Sequence, residues 1–249
     1  MLFATESVAS AKLLPVPPLP PEPPLRLTFE ISTTESTERL PDELREIEGG
    51  RLVVEAAVAN GQRYQKATVV LPLAGGDSRE RVLFFAEEAE GIRMLGFHRL
   101  YRHLEAPQGE TVVFDSGNAN PLGGRMVPVA ADTYSLLGLC AVLGGVLNSR
   151  ESLRANLWLN ERETLPVEIA TQAHEELTML GTRVASSRIR VRPLSGASWV
   201  ALYWFTESAP HTFLQYRGPG DILLDSGGPV SLFLRTTSSS EQVLELFSR

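Results

Sequence analysis

From Leu25 onward, apolar and polar residues alternate in short runs divided by turn signals, which is the period of two that a half-buried strand requires. "LRLTFEIS" alternates over residues 25–32, and "GRLVVEAAVANGQ" breaks at Asn60-Gly61. An Asn-Gly pair between two strand-like runs predicts a tight hairpin. "YQKATVVLPLAGGDS" ends at Gly75-Gly76-Asp77, and the series continues through "RVLFFAEE", "TVVFDSG", "LRANLWLNE", "LPVEIAT", "TRVASSRIRVRP", "SWVALYWFTE", "HTFLQYRG", "DILLDSG" and "VSLFLRTT". The pattern predicts a long antiparallel meander.

One segment departs from that period. In "ADTYSLLGLCAVLGGVLNSRESL", Leu136, Leu139, Cys140, Leu143 and Val146 or Leu147 recur at three-to-four spacing, with Asp132 or Thr133 as the expected cap. Gly144 and Gly145 weaken the far end and Asn148-Ser149 close it. A helix over 132–147 that is apolar nearly all round is expected to be buried against the sheet. The fold class this predicts is mainly β (α+β): a strongly curved antiparallel sheet, or half-barrel, wrapped around one central apolar helix.

The stretch before the meander, "LLPVPPLPPEPPL" at 13–25, can be neither helix nor central strand, because proline fixes φ and removes the backbone donor. It is expected to be a semi-rigid spacer. The domain plan is therefore a flexible leader with the Pro-rich spacer over 1–24, one curved-sheet domain over 25–236, and a tail over 237–249. The chain also echoes itself. "LFFAEEAEGIRMLGFHRLYRHLEAPQGETVVFDSG" and "LYWFTESAPHTFLQYRGPGDILLDSG" share a strand, an acidic turn, a His followed by a Tyr-Arg strand, a Pro-Gly turn and a terminal Asp-Ser-Gly. Two hairpin-rich halves around the helix are expected.

Composition narrows the function. With 249 residues, 43% of them hydrophobic and 21% charged, and a net charge of -7, the chain reads as one ordinary globular domain. Its Lys and Arg residues are scattered, so no nucleic-acid partner is expected. One cysteine, Cys140, excludes an internal disulfide, and no Cys/His spacing suits zinc. No cofactor is expected. The longest apolar run, "LLGLCAVLGGVL", falls short of the roughly 20 residues a membrane-spanning helix needs. "MLFATESVASA" lacks the charged and apolar regions of a signal peptide, although Ala9-Ser10-Ala11 has the look of a cleavage site.

Candidate chemistry centres on two Asp-Ser-Gly triplets, with Asp115 and Asp225 in matching places, and on His98 and His211 in the echo. A carboxylate dyad sharing one proton would need both aspartates on fixed loops facing each other. Too few residues follow Asp225 for a second protease lobe, so a hydrolase using Asp115, Asp225, His98 and His211 is the alternative and strand-end turns the preferred reading. "HEELT" lacks the second His of a zincin, and neither a Gly-x-Ser-x-Gly elbow nor a phosphate loop occurs. The aromatic residues say more. Trp158, Trp199, Tyr203, Trp204, Phe205, Phe213 and Tyr216 gather in the C-terminal strands, where alternation aims about half at one face. No catalytic or metal-binding residue is assigned. With Leu139 and Leu143 of the helix, Trp158, Trp199, Tyr203, Trp204, Phe213 and Tyr216 are the expected lining of an apolar cavity.

Residues 82–226 resemble a bacterial family of cell-envelope domains of unknown function, the DUF 3108 type, related in fold to the lipoprotein carriers LolA and LolB. The resemblance rests on "RVLFFAEEAEGIRMLGFHRL", "DTYSLLGLCAVLGGV", "LRANLWL", "LPVEIATQAHEELTMLGTRVASSRIRV" and "WVALYWFTESAPHTFLQYRGP". Met179-Leu180-Gly181-Thr182 departs from that family's turn, and the N-terminal third matches poorly. The resemblance implies a half-barrel around a helix with an apolar interior, and carries over no catalytic residue. It implies the periplasm or cell envelope given a shortened N-terminus; the sequence as it stands reads as cytoplasmic. The expected function is a non-enzymatic, carrier-like domain holding a lipid or other apolar small molecule, with a protein-interaction module as a further alternative.

Overall fold

The computed structural model describes residues 12–20, 26–33, 50–72, 78–102, 108–149, 151–179, 182–196, 198–219 and 231–236. Gly75-Gly76-Asp77, Asp225 and the tail 237–249 lie outside the described residues. The first half of the chain supplies β1 (Arg26–Thr33), β2 (Gly50–Ala59), β3 (Gln62–Pro72), β4 (Ser78–Glu88), β5 (Gly91–Arg102), β6 (Gln108–Asp115) and β7 (Arg125–Pro128). The second supplies β8 (Thr133–Tyr134), β9 (Leu153–Asn160), β10 (Glu163–Met179), β11 (Thr182–Pro193), β12 (Ala201–Thr206), β13 (Phe213–Pro219) and β14 (Ser231–Thr236). Helix α1 (Leu136–Val142) and a 3-10 helix (Leu143–Asn148) join β8 to β9.

These strands form one sheet in the order β7-β6-β5-β4-β3-β2-β1-β14-β13-β12-β11-β10-β9-β8. The pairing of β1 with β14 joins the two halves. The outermost strands, β7 and β8, are consecutive in the chain. Laid flat at about 4.8 Å per strand, they would stand about 60 Å apart. Only residues 129–132 connect them. The Val129 N–H donates to Asp115 O of β6 (3.0 Å), and Asn156 of β9 donates from its N–H to Asp132 O (3.0 Å). Three peptide units reach at most about 11 Å. The sheet is therefore curled until its two ends nearly meet. Bulges at Phe84/Phe85, Thr171/Ala173 and Trp204/Phe205 supply the local bending.

The meander is antiparallel except at its ends. The pairs β6–β7 and β8–β9 are parallel, which corrects the expectation of an all-antiparallel sheet. The Asn60-Gly61 turn forms as its residues predict, with φ of 52° and 75°. Beyond the bulge at Thr171/Ala173, β10 runs on through "HEELT", and the tip of the β10–β11 hairpin packs Met179 and Val184 on Trp204 and Leu214.

Helix α1 lies in the hollow. Leu136, Leu139, Cys140, Val142, Leu143 and Val146 are buried in one core with Leu52, Leu83, Phe97, Val112, Val167, Ile189 and Tyr203 from across the sheet. The Tyr203 hydroxyl donates to Leu136 O (2.9 Å), fixing the start of the helix to β12. The helix begins later than its spacing suggests. Ser135 is the cap, its Oγ accepting from Gly138 N–H (3.0 Å), because Asp132 already accepts from Asn156 Nδ2 (2.9 Å) and Thr133 belongs to β8. At Gly144 and Gly145 the helix tightens to 3-10 geometry.

Residues 12–20, expected to act as a spacer, lie against the barrel. Leu13 and Leu14 are buried, and Leu14 bridges Ile92 at the start of β5. Ile92 N–H donates to Leu14 O (2.8 Å), Leu14 N–H donates to Tyr134 Oη (3.1 Å), and Tyr134 Oη donates to Ile92 O (2.6 Å). Two glycines make room for this strap. A Cβ on Gly91 would stand 2.3 Å from Leu14 O, and one on Gly145 would stand 2.2 Å from Pro15 O.

Candidate functional site: the Pro-covered mouth of the barrel

The helix and its neighbours fill much of the interior, and the described residues beside the helix border a partly open cavity of about 60 Å³. Each wall comes from a different part of the chain. Leu27, Leu52, Val54 and Gln65 face it from β1, β2 and β3; Cys140, Ala141 and Gly144 from the helix; Phe205, Pro210, His211, Thr212 and Phe213 from β12, β13 and their turn; and Pro17, Pro18 and Pro20 cover it. Among the described residues, no Lys, Arg, Asp or Glu lines it. At roughly 10–15 Å³ per enclosed water, this is room for a few waters or a short apolar group.

The turn at the rim is held by its own hydrogen bonds. Thr206 N–H donates to Thr212 O (2.9 Å), Thr212 N–H to Thr206 Oγ1 (2.8 Å), and Thr206 Oγ1 to Ser208 O (2.9 Å). His211 has a left-handed φ of 57° and bonds through Nδ1 to Thr206 O (3.1 Å). The opposite wall is set by Gln65, 2% exposed, whose Nε2 donates to Glu87 Oε1 (3.1 Å). Burial raises the Cys140 thiol well above its ordinary pKa, so it stays protonated and unreactive. Burial likewise raises Tyr203 and Tyr134.

Of the eight residues expected to line a cavity, Phe213 borders this one. Tyr203, Tyr216, Leu139 and Leu143 belong to the packed core, where the Tyr203 and Tyr216 rings meet at a tilt of 60° with centroids 5.0 Å apart. Trp158 and Trp199 pack at the edge of that core, Trp158 reaching Phe97 (5.0 Å) and Phe114 (6.1 Å) from the far end of the sheet. Trp204 points the other way, into the outer cluster under the β10–β11 tip, and its indole N–H donates to Glu175.

Of the alternative set, Asp225 lies outside the described residues, and Asp115, His98 and His211 each bond within their own turn or strand pair. Asp115 Oδ1 accepts from Gly117 N–H (3.1 Å), as a strand-end turn does, His98 is bonded to Thr111 Oγ1 (3.0 Å) on β6, and His211 sits in its own turn. Another constellation escaped sequence reading: the exposed His174 and Glu207 with the buried Ser187. Ser187 Oγ (3.0 Å) and Glu207 Oε1 (2.8 Å) both meet the same ring atom, Nδ1, whereas a catalytic relay needs the two ring nitrogens to serve different partners. Among the described residues, no group of three or more His, Cys, Asp or Glu could hold a metal ion, and no helix is long and apolar enough to cross a membrane.

A second depression, open and polar, of about 540 Å³, follows the seam where the sheet ends meet, lined by Asp115, residues 127–130 and residues 160–164. Beside it Arg125 of β7 pairs with Glu110 (2.6 Å) and with Glu161 of the β9–β10 turn.

No protein-family model and no curated protein matches the chain. The DUF 3108 and LolA/LolB resemblance therefore finds no counterpart in those searches. Among solved structures, the chain aligns with a β-barrel-like protein of the domain-of-unknown-function family DUF1849 from Brucella abortus. The alignment has 9% sequence identity and a TM-score of 0.44, covering 91% of this chain and 97% of that one.

Proposed function

We propose that the protein is a non-enzymatic, carrier-like binding domain that receives a lipid-like or other apolar small molecule at the Pro-covered mouth. The observation that carries this reading is the cavity where helix, sheet and strap meet, which among the described residues no charged side chain lines. Binding there would draw on apolar area removed from water, at roughly 25 cal/mol per Å². As it stands, the cavity suits a short group. A longer chain enters by displacing Pro17, Pro18 and Pro20, which cover the cavity without belonging to any strand. Glycines at 91 and 145 keep the strap's anchor close to the barrel, so its covering part can shift while Leu14 stays bonded.

Native mass spectrometry of protein gently extracted from its source tests this. The expected result is an apolar adduct lost on organic extraction, and renewed uptake when the stripped protein meets the extract. An adduct-free protein that takes up nothing from the extract contradicts it.

A further inference from the structure

Arginines that are scattered in the sequence are gathered by the register on one face of the sheet. On β11, Ile189 and Val191 belong to the core, so Arg188, Arg190 and Arg192 share the outer face. Core positions Ala155 and Leu157 likewise turn Arg154 of β9 outward, and Tyr216 does the same for Arg217 of β13. Arg192 lies across Glu168 from Arg154, and Arg190 lies across Leu202 from Arg217. The carboxylates that these strands place among the five are Glu168 and Glu175. Arg192 meets Glu168 at 2.9 Å, Arg190 meets it at 3.5 Å, and Arg188 meets Glu175 at 3.5 Å. Nε of Arg188 and of Arg190 is buried, so both side chains lie along the sheet, yet they remain 30% and 32% exposed. Arg154 and Arg217 are exposed.

We infer that this outer face docks an extended acidic segment of a partner protein, whose carboxylates at alternate residues meet the arginines of β11. Five arginines to two glutamates, in a chain of net charge -7, make this the face that attracts an anionic partner. Arg188, Arg190 and Arg192 recur about every 7 Å along β11, and the side chains on one face of an extended segment recur at the same interval. Each carboxylate then meets one guanidinium in a charge-assisted pair. Arg154 and Arg217 flank that line at about 10 Å, two strands to either side. A membrane surface is flat, whereas the outer face of a curled sheet is convex, so a flexible chain follows it over more of its length. The inference is independent of what enters the mouth.

Fluorescence anisotropy of two labelled heptapeptides, titrated at low salt with the purified full chain, tests this. One is Ser-Glu-Ser-Glu-Ser-Glu-Ser, and the other, Ser-Ser-Glu-Glu-Glu-Ser-Ser, has the same composition and charge. The alternating peptide should bind about fivefold more tightly, the equivalent of one further ion pair made in register. Arg190→Gln should erase most of that preference, and Arg190→Glu should weaken the alternating peptide further, because a carboxylate then faces a carboxylate. Arg162→Gln, in the β9–β10 turn and off this face, should bind like the wild type. Circular dichroism confirms that the variants fold. Equal affinity for the two peptides, or an Arg190→Gln variant that keeps the wild-type preference, overturns the inference. Binding of neither peptide also overturns it, and cosedimentation with phosphatidylglycerol vesicles in that case assigns the face to a membrane instead.

Discussion

The curled sheet is bridged in two places without a strand ladder, and the two bridges are built from opposite materials. At the seam, Trp158 bridges to Phe97 and Phe114, and the ion pairs of Arg125 with Glu110 and Glu161 span the solvent side. At the mouth, a proline strap lies over apolar side chains, held by one triangle of hydrogen bonds at Leu14, Tyr134 and Ile92 and by two glycines with no space for a Cβ. The seam joins elements that the fold must keep together, so its closure is a large aromatic contact. The mouth is covered by a segment outside the ladder, so under the proposed function its cover shifts while the sheet persists.

Substitutions sharpen that contrast. The largest effect is expected at the seam: Trp158→Ala should cost about 3 kcal/mol in urea unfolding, the lower end for a large aromatic truncated to Ala, because it removes the contact between the sheet ends. Gly145→Ala should cost about 2 kcal/mol as an overpacking change, since the new methyl lands on Pro15 O, and it should loosen the strap. A Gly145→Ala protein that melts like the wild type would show that the strap is not seated as described. Tyr134→Phe should cost about 1 kcal/mol, because Leu14 N–H loses its acceptor and the hydroxyl's bond to Ile92 O goes with it.

The smallest effect belongs to the exposed ion pairs. The Arg125 guanidinium, chiefly through its hydrogen bond, holds the Glu161 carboxyl below its usual pKa, and Arg192 does the same to Glu168. A carboxyl depressed on folding contributes stability above its unfolded pKa of about 4.3, and that contribution is lost as pH falls through the folded-state value. Acid titration of the wild type should therefore show stability declining below about pH 4, and Glu161→Gln should flatten a small part of that decline. Because the pair is solvent-exposed, the change should shrink further in high salt.

What could be read from the sequence was whatever local chemistry dictates. Asn60-Gly61 specifies its turn through the backbone freedom of two adjacent residues. The helix declares itself through its three-to-four spacing, but its start was misread, because Asn156, distant in sequence, occupies Asp132 and leaves capping to Ser135. β7 and β8 went unseen: four and two residues are too few to display a period of two. The Pro-rich segment was legible only in what it could not form. Its seating depends on Gly91 and Gly145, whose role appears only when Leu14 and Pro15 are beside them. The aromatic cluster was visible, yet the alternation that sends Tyr203 inward and Trp204 outward also divides the residues grouped as one lining. Two of the cavity's polar side chains, Gln65 and His211, carry no local signature, because their orientation is set by Glu87 and Thr206.

Cys140 lies on the helix, borders the mouth, and is the only cysteine in the chain, so its modification reports on the claim that the apolar helix is enclosed beneath a movable strap. With a small neutral thiol reagent, followed by mass spectrometry under native conditions, the account predicts a nearly unreactive wild type. It predicts clear acceleration in Gly145→Ala with the β-sheet dichroism unchanged, and protection again on adding hexan-1-ol. A wild-type Cys140 that reacts as fast as the unfolded chain, or a Gly145→Ala variant whose thiol stays silent until the sheet itself melts, would contradict it.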